Sequence, residues 1–235
     1  MKSKITIIIS CYNHQLFLKK CLTSILNQKK NKLPKNIIFI DDKSTDNSLK
    51  IASKFLNKFK NVKIIKNRKN LGLTKSCNKA IKACKTEYFI RVDSDDYISK
   101  DFINSFEKII FKKKYDLISC KRIEFNNNNK KKISIDKKKI DLFKFVSCGV
   151  ALKTNKVKRI GMYKNILWEE YDLYIRYLKN DKFSIRIIDK YLYYYRKHKK
   201  SMSYKKNWLK KAWEQLINKY GNNKLVKYGK LPKNL

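Results

Sequence analysis

Three times in its first hundred residues this chain runs through a short apolar stretch that stops at a polar or acidic cluster. Residues 5–10 stop at Tyr12-Asn13, residues 36–40 at Asp41-Asp42, and residues 88–92 at Asp93-Ser94-Asp95-Asp96. A continuous apolar run of this length suits a strand buried on both faces. Between the runs, apolar residues fall at helical spacing. Leu18, Leu22, Ile25 and Leu26 mark one helix. A second runs to about Phe59, with Ser44 or Thr45 predicted as its N-cap. Residues 73–84 follow the turn signal Asn70-Leu71-Gly72 as a third helix, and residues 100–111 form a fourth. Residues 62–66 add one more short strand. This alternation predicts an α/β fold with a doubly wound, mostly parallel sheet and helices on both faces. Ligands bind such sheets at the carboxyl ends of strands, where all three polar clusters are expected.

The second half is less regular. Strands are predicted over 116–122, within 145–153, and over 184–188 and 191–195, with an exposed polar loop or hairpin tip over 126–139. Residues 155–160 form a short helix ending at Gly161. Residues 168–179 form a longer one, with Trp168, Tyr171, Ile175 and Leu178 on one face and an Asp172–Arg176 pair at i,i+4. Residues 208–220 form a basic amphipathic helix whose apolar side carries Trp208, Ala212, Trp213 and Leu216. That side suits either the core or a membrane surface.

A length of 235 residues suits one α/β domain or two small ones. No run of about 18 apolar residues is present, and residues 5–9 are too short for a signal-peptide core, so a cytoplasmic protein is expected. The net charge is +40, but the lysines are spread along the whole length. That pattern reads as compositional drift rather than a nucleic-acid-binding patch, and no nucleic-acid partner is expected. Peripheral contact with an anionic membrane, at the inner face of the cytoplasmic membrane, is the partner this charge does suit. None of the six cysteines forms a C-x-x-C pair, so they read as small buried hydrophobes.

The chemistry sits in the acidic clusters. Asp93, Asp95 and Asp96 crowd the end of a buried strand, which is costly unless a cation or hydrogen bonds neutralise them. Such carboxylates suit Mg2+ or Mn2+, and the metal suits nucleotide phosphates. The alternative is an Asx-rich turn that caps the next helix. Asp42 could accept from a base or a ribose, while Ser44 and Asp46 serve the following helix. Glu169-Glu170 opens a helix, where a carboxylate stays ionised and can act as a base, or is simply first-turn acidic bias. The absence of a Gly-rich phosphate loop disfavours P-loop kinases and Rossmann dehydrogenases. Without a Gly-x-Ser-x-Gly elbow, a Ser-His-Asp triad is not suggested, and two histidines are too few for a His-based metal site.

Taken in order, these segments resemble a family 2 glycosyltransferase of the GT-A fold. Ile7-Ile8-Ile9-Ser10-Cys11-Tyr12-Asn13 resembles the family's first strand and turn. Cys21-Leu22-Thr23-Ser24-Ile25-Leu26-Asn27-Gln28 resembles its first helix, and Ile38-Phe39-Ile40-Asp41-Asp42-Lys43-Ser44-Thr45-Asp46 its second strand. Asn70-Leu71-Gly72 with Asn78 follows, Asp93–Asp96 takes the place of the DxD motif, and Gly161-Met162-Tyr163 with residues 168–176 resembles the acceptor-side segment. Tyr195-Arg196-Lys197-His198 and residues 201–203 match the terminal pattern.

The resemblance implies a single domain over 1–203, with a nucleotide-sugar half over 1–118, an acceptor half over 119–203, and an appended helix and tail over 204–235. It also implies that Ser10 and Tyr12 line the nucleotide pocket, that Asp42 bonds the base with Asp41 nearby, and that Asp93 and Asp95 contact the donor. Asp95 and Asp96 would hold the metal. Glu170 aligns with the catalytic base, one methylene longer than the family's usual Asp, and His198 would approach the metal or the diphosphate. The implied reaction is inverting transfer of one sugar, with UDP-sugars favoured, to a glycan or lipid-linked acceptor of the cell envelope. The Gln-x-x-Arg-Trp pattern of processive synthases is missing. A nucleotidyltransferase or a non-catalytic nucleotide-binding module is the alternative.

Overall fold

The computed structural model describes residues 3–29, 33–57, 59–136, 141–145, 148–179, 183–199, 201 and 206–229. Parts of the sequence-predicted 126–139 loop, 145–153 strand, 201–203 motif and 204–235 tail lie outside those residues.

The first four strands are β1 (Ile5–Cys11), β2 (Asn36–Asp41), β3 (Val62–Lys66) and β4 (Tyr88–Arg91). They pair in parallel in the order β3-β2-β1-β4. Because successive side chains alternate faces, Ile5, Ile7 and Ile9 pack with α1 (Gln15–Leu26), α2 (Ser48–Leu56) and α4 (Phe102–Lys112). Ile8 and Ile38 pack instead with α3 (Leu73–Ala83). That division explains why β1 and β2 carry apolar residues at successive positions, as in Ile7-Ile8-Ile9 and Ile37-Ile38-Phe39-Ile40, rather than at every other one.

The sheet continues as a mixed one. β8 (Ala151–Lys153) joins β4 antiparallel, then come β6 (Leu117–Phe125), β9 (Ile185–Arg196) and the two-residue β5 (Tyr97–Ile98). β7 (Lys130–Ile133) makes a hairpin with β6. The second helical layer adds α5 (Thr154–Arg159), α6 (Glu169–Leu178), α7 (Lys206–Tyr220) and α8 (Asn222–Leu225).

The link from β4 to β5 forces this mixed α/β sheet to curl. Three strands separate the two, which is about 19 Å in a flat sheet. Six extended peptide steps reach only about 21 Å, and the link contains a tight turn in which Asp96 N–H donates to Asp93 O at 3.0 Å. The far edge therefore comes back, and β5 packs against α1.

Several local expectations are corrected. The predicted strands 184–188 and 191–195 are one strand, β9, whose pairing with β6 shifts register across the predicted gap. The strand expected within 145–153 lies at Ala151–Lys153, and the hairpin expected around 126–139 includes β7. Ser44 and Thr45 do not cap α2, which begins at Ser48; Asp46 Oδ1 accepts from Ser48 N–H at 2.9 Å, and Ser44 Oγ accepts from Asn13 N–H at 3.1 Å. The helix predicted from residue 168 starts one residue later, with Trp168 as its N-cap. Helix α7 buries Ala212, Trp213 and Leu216 against the core. All six cysteines are buried free thiols. Among the described residues no helix is long and apolar enough to cross a membrane.

Gly149 shows how tightly the sheet is closed at its centre. Its φ is +70°, and an added Cβ would lie 2.6 Å from the Tyr193 ring. Gly149→Ala is expected to destabilise the protein by about 2 kcal/mol, read as a lower urea midpoint with an unchanged slope.

Candidate active site

A cavity of about 860 Å³ opens at the carboxyl ends of β1, β2 and β4. Opposite them stand the N-terminus of α6 and Trp208 of α7. Seven of the sequence-predicted residues meet in its wall: Ser10, Tyr12, Asp42, Asp93, Asp95, Glu170 and His198. Asp41 and Asp96 are buried and are not part of that wall.

The first wall is built on strand ends. Tyr12 lines the cavity and is 45% exposed, so its ring is open to a ligand. It precedes Asn13, which sits at φ 54°, a left-handed conformation that Asn tolerates. Asn13 Oδ1 accepts from Thr45 N–H at 2.8 Å, which ties the Tyr12 turn to the loop after β2. In that loop Asp41 Oδ2 accepts from Ser44 N–H at 3.1 Å, while its buried Oδ1 finds no donor among the described residues. Asp42 anchors a distant turn. Its Oδ1 accepts from Leu71 N–H and Asn67 Nδ2, and its Oδ2 from Gly72 N–H, all at 2.8 Å. Lys79 Nζ donates to Asn67 Oδ1 at 2.7 Å and fixes that amide.

The acidic link is neutralised mainly by one residue that the sequence reading passed over. Arg91 is 4% exposed. Its Nε and Nη2 donate to the two oxygens of Asp93 at 2.7 and 3.1 Å, and its Nη1 donates to Glu169 Oε1 at 2.9 Å. Burial opposes the Asp93 charge, but Arg91 outweighs it and holds the carboxyl below its ordinary value. Cys148 Sγ also donates to Asp93 Oδ2, at 2.8 Å. The signal was present in sequence: Arg91 is the one charged residue in the apolar run 88–92, and a charge there needs a partner.

The rest of the link faces two ways. Asp96 turns to β9, where Tyr193 Oη donates to its Oδ2 and Arg196 N–H to its Oδ1, both at 2.7 Å. Burial, and then the charges of Asp95 and Asp93, push its carboxyl well up. Asp95 turns to the cavity, with Oδ2 at 2.9 Å from His198 Nε2. His14 Nδ1 lies 2.7 Å from Ser94 Oγ, so both histidines of the chain belong to the same wall.

Asp93, Asp96 and Cys148 bring possible ligand atoms within 4.8 Å of one another. Those atoms are engaged by Arg91, Tyr193 and the thiol's own hydrogen bond. Asp95 meets His198 through Oδ2 and stands in the cavity wall, where a carboxylate is the oxygen ligand that suits a hard divalent cation.

Glu169 and Glu170 differ sharply although they are neighbours. Glu169 is paired with Arg91. Glu170 lines the cavity, and burial, followed by the charge of Glu169, pushes its carboxyl up to about 8. A carboxyl raised in this way in a cavity wall is suited to proton transfer.

The model of the family described as Glycosyl transferase family 2 matches residues 6–167. A poly(ribitol-phosphate) beta-glucosyltransferase of Bacillus spizizenii is 43% identical over 99 residues, 42% of this chain and 16% of its own length. The poly(ribitol-phosphate) beta-N-acetylglucosaminyltransferase TarS of Staphylococcus aureus is 32% identical over 119 residues, 50% of this chain and 21% of its own. The crystal structure of S. aureus TarS 1-349 with UDP-GlcNAc superposes with a TM-score of 0.74 at 22% identity, over 97% of this chain and 71% of that one. The mannosyltransferase PcManGT of Pyrobaculum calidifontis, in complex with GDP-Man and Mn2+, gives 0.70 at 15% identity, over 99% and 66%. At these identities the structural likeness shows the fold, GT-A. The chain spans less than half the length of the curated relatives it matches.

Arg91→Met is expected to cost about 3–5 kcal/mol at pH 7, because it leaves Asp93 and Glu169 buried without their cation. The deficit should shrink as pH falls below 3.8, the ordinary value beneath which Arg91 holds Asp93 ionised, measured as Tm against pH.

Proposed function

The chain belongs to glycosyl transferase family 2, and we propose that it moves one sugar from a nucleoside diphosphate sugar to an acceptor hydroxyl with inversion. The observation that carries this is the single cavity in which Asp42, Asp95 and Glu170 meet, with Glu170 raised to about 8. A UDP-sugar is the favoured donor and a glycan or lipid-linked polymer of the cell envelope the acceptor, by analogy with TarS and the B. spizizenii enzyme. Residues 1–118 then form the donor half and 119–203 the acceptor half, with 204–235 appended.

Tyr12, with its exposed ring, stacks on the base, and Ser10 lies beside it. Asp42 Oδ2 accepts one hydrogen bond in the structure and keeps a lone pair for the base or ribose. Asp93 reaches the donor from its salt bridge with Arg91, which keeps it ionised and still. Asp95, with His198 beside it and Asp96 behind, would hold Mg2+ or Mn2+. When bound, such a cation supplies positive charge to the departing diphosphate. Glu170 takes the proton of the acceptor hydroxyl while that oxygen bonds to the anomeric carbon. The bond from that carbon to the phosphate oxygen breaks on the opposite side, so the configuration inverts and the nucleoside diphosphate leaves. The basic, lysine-rich surface suits peripheral contact with an anionic membrane carrying the acceptor.

Donor class is tested by thermal shift with UDP, GDP, dTDP and CMP, each with and without Mn2+. A metal-dependent rise in Tm with UDP is expected, and no rise with any of the four would refute the donor site. Turnover is expected to climb about tenfold per pH unit below about 8 and then level off, since Glu170 is a base only when deprotonated. Glu170→Gln should lose on the order of 10²–10⁴-fold in turnover while keeping the UDP shift. The raised carboxyl stabilises the fold below its ordinary value of 4.5, and that contribution is lost as pH climbs to about 8. Glu170→Gln should therefore raise Tm at pH 9 and leave it unchanged at pH 4.

A further inference from the structure

Beside Glu170 the cavity wall is made of two indoles. Trp168, the residue before Glu169, has φ 56° and ψ 48°, a left-handed conformation that large side chains rarely adopt. It meets Trp208 edge to face, with ring centroids 6.0 Å apart at 87°, and both line the cavity. Trp213 backs Trp168 from inside the core at 5.7 Å and is itself buried. Trp168 and Trp208 remain half-buried, with ring surface left for a ligand.

Trp208 belongs to α7, which lies beyond the matched residues 6–167. That helix is fixed to α6 by polar contacts. Gln215 Oε1 accepts from Leu167 N–H at 2.9 Å, and Lys219 Nζ and Tyr220 Oη donate to the fully buried Asp172 at 2.5 and 2.6 Å. The indole corner is therefore held in register with Glu170, two residues from Asp172 on the same helix.

We propose that Trp168 and Trp208 form the acceptor subsite and that its ligand is a sugar ring or sugar alcohol. The inference rests on the glycosyl-transfer reading above. A carbohydrate offers a C–H face to an aromatic ring and hydroxyls at its rim. The corner provides the rings, and Glu170 and Glu169 beside it provide acceptors for the hydroxyls. An alkyl chain or sterol would use the indoles and offer no hydroxyl to Glu170, which is unfavourable for a carboxyl group in a poorly solvated wall.

The test uses tryptophan emission, because two of the chain's three tryptophans stand in this wall. The protein, with UDP and Mn2+ present, is titrated with methyl β-D-glucopyranoside, with ribitol, and with phosphatidylglycerol vesicles. A saturable change with either carbohydrate is expected. Trp208→Ala should raise the half-saturation concentration about tenfold, and Trp208→Phe should recover most of that loss. The UDP-induced Tm shift should be the same in both variants, which shows that the fold and the donor site survive. A response to vesicles alone, or a Trp208→Ala curve that overlays the wild type, overturns the proposal. An intact UDP shift with silent carbohydrate titrations overturns this subsite alone. A wild-type protein whose Tm none of UDP, GDP, dTDP and CMP moves overturns the donor reading and this inference with it.

Discussion

The buried guanidinium of Arg91 makes the rest of the site physically tolerable. It sits at the end of β4 and donates to Asp93 on one side and Glu169 on the other. Without a cation at this point, carboxylates from two distant segments would repel one another in a poorly solvated pocket. With it, strand end, acidic link and α6 are joined through one planar group, and Arg suits that task because its fork addresses several oxygens at once. Glu170 gains from the same arrangement indirectly. Its neighbour takes the ion pair, so it keeps the burial and the negative neighbour that raise it.

The link between β4 and β5 is the second constraint. It carries Asp93, Asp95 and Asp96, and also closes the sheet towards α1. The three carboxylates therefore face different surroundings within four residues. Asp93 meets Arg91, Asp95 meets His198 and the cavity, and Asp96 meets the backbone of β9. A residue such as Asp96, outside the cavity wall, still governs how the link lies against the far edge.

Much of this was legible in the sequence because burial on two faces leaves a simple trace. Ile5, Ile7, Ile8 and Ile9 read as a strand from composition alone, and the polar residues after each run marked the ligand-binding edge. Family likeness then ordered the candidates, and seven of the nine donor, metal and base residues line one cavity. What escaped depended on long-range pairing. β5 is two residues long, too short to carry a period, and exists because β9 is there to receive it. Ser44 looked like a cap because a cap is a local pattern, whereas its partner, Asn13, comes from 31 residues earlier. The engagement of Asp42 with the 70–72 turn, and of Trp208 with Trp168, joins segments 29 to 40 residues apart. No local signal encodes either contact.

The six cysteines have a practical consequence. Each is at most 5% exposed, and burial pushes the thiols of Cys11, Cys21, Cys77, Cys120 and Cys148 up, away from the reactive thiolate. A maleimide probe would pass them over in the folded protein. One cysteine introduced on the exposed face of α7 would then carry a fluorophore selectively, without first stripping the native thiols from the core. The native chain thus already serves as a background for site-directed labelling.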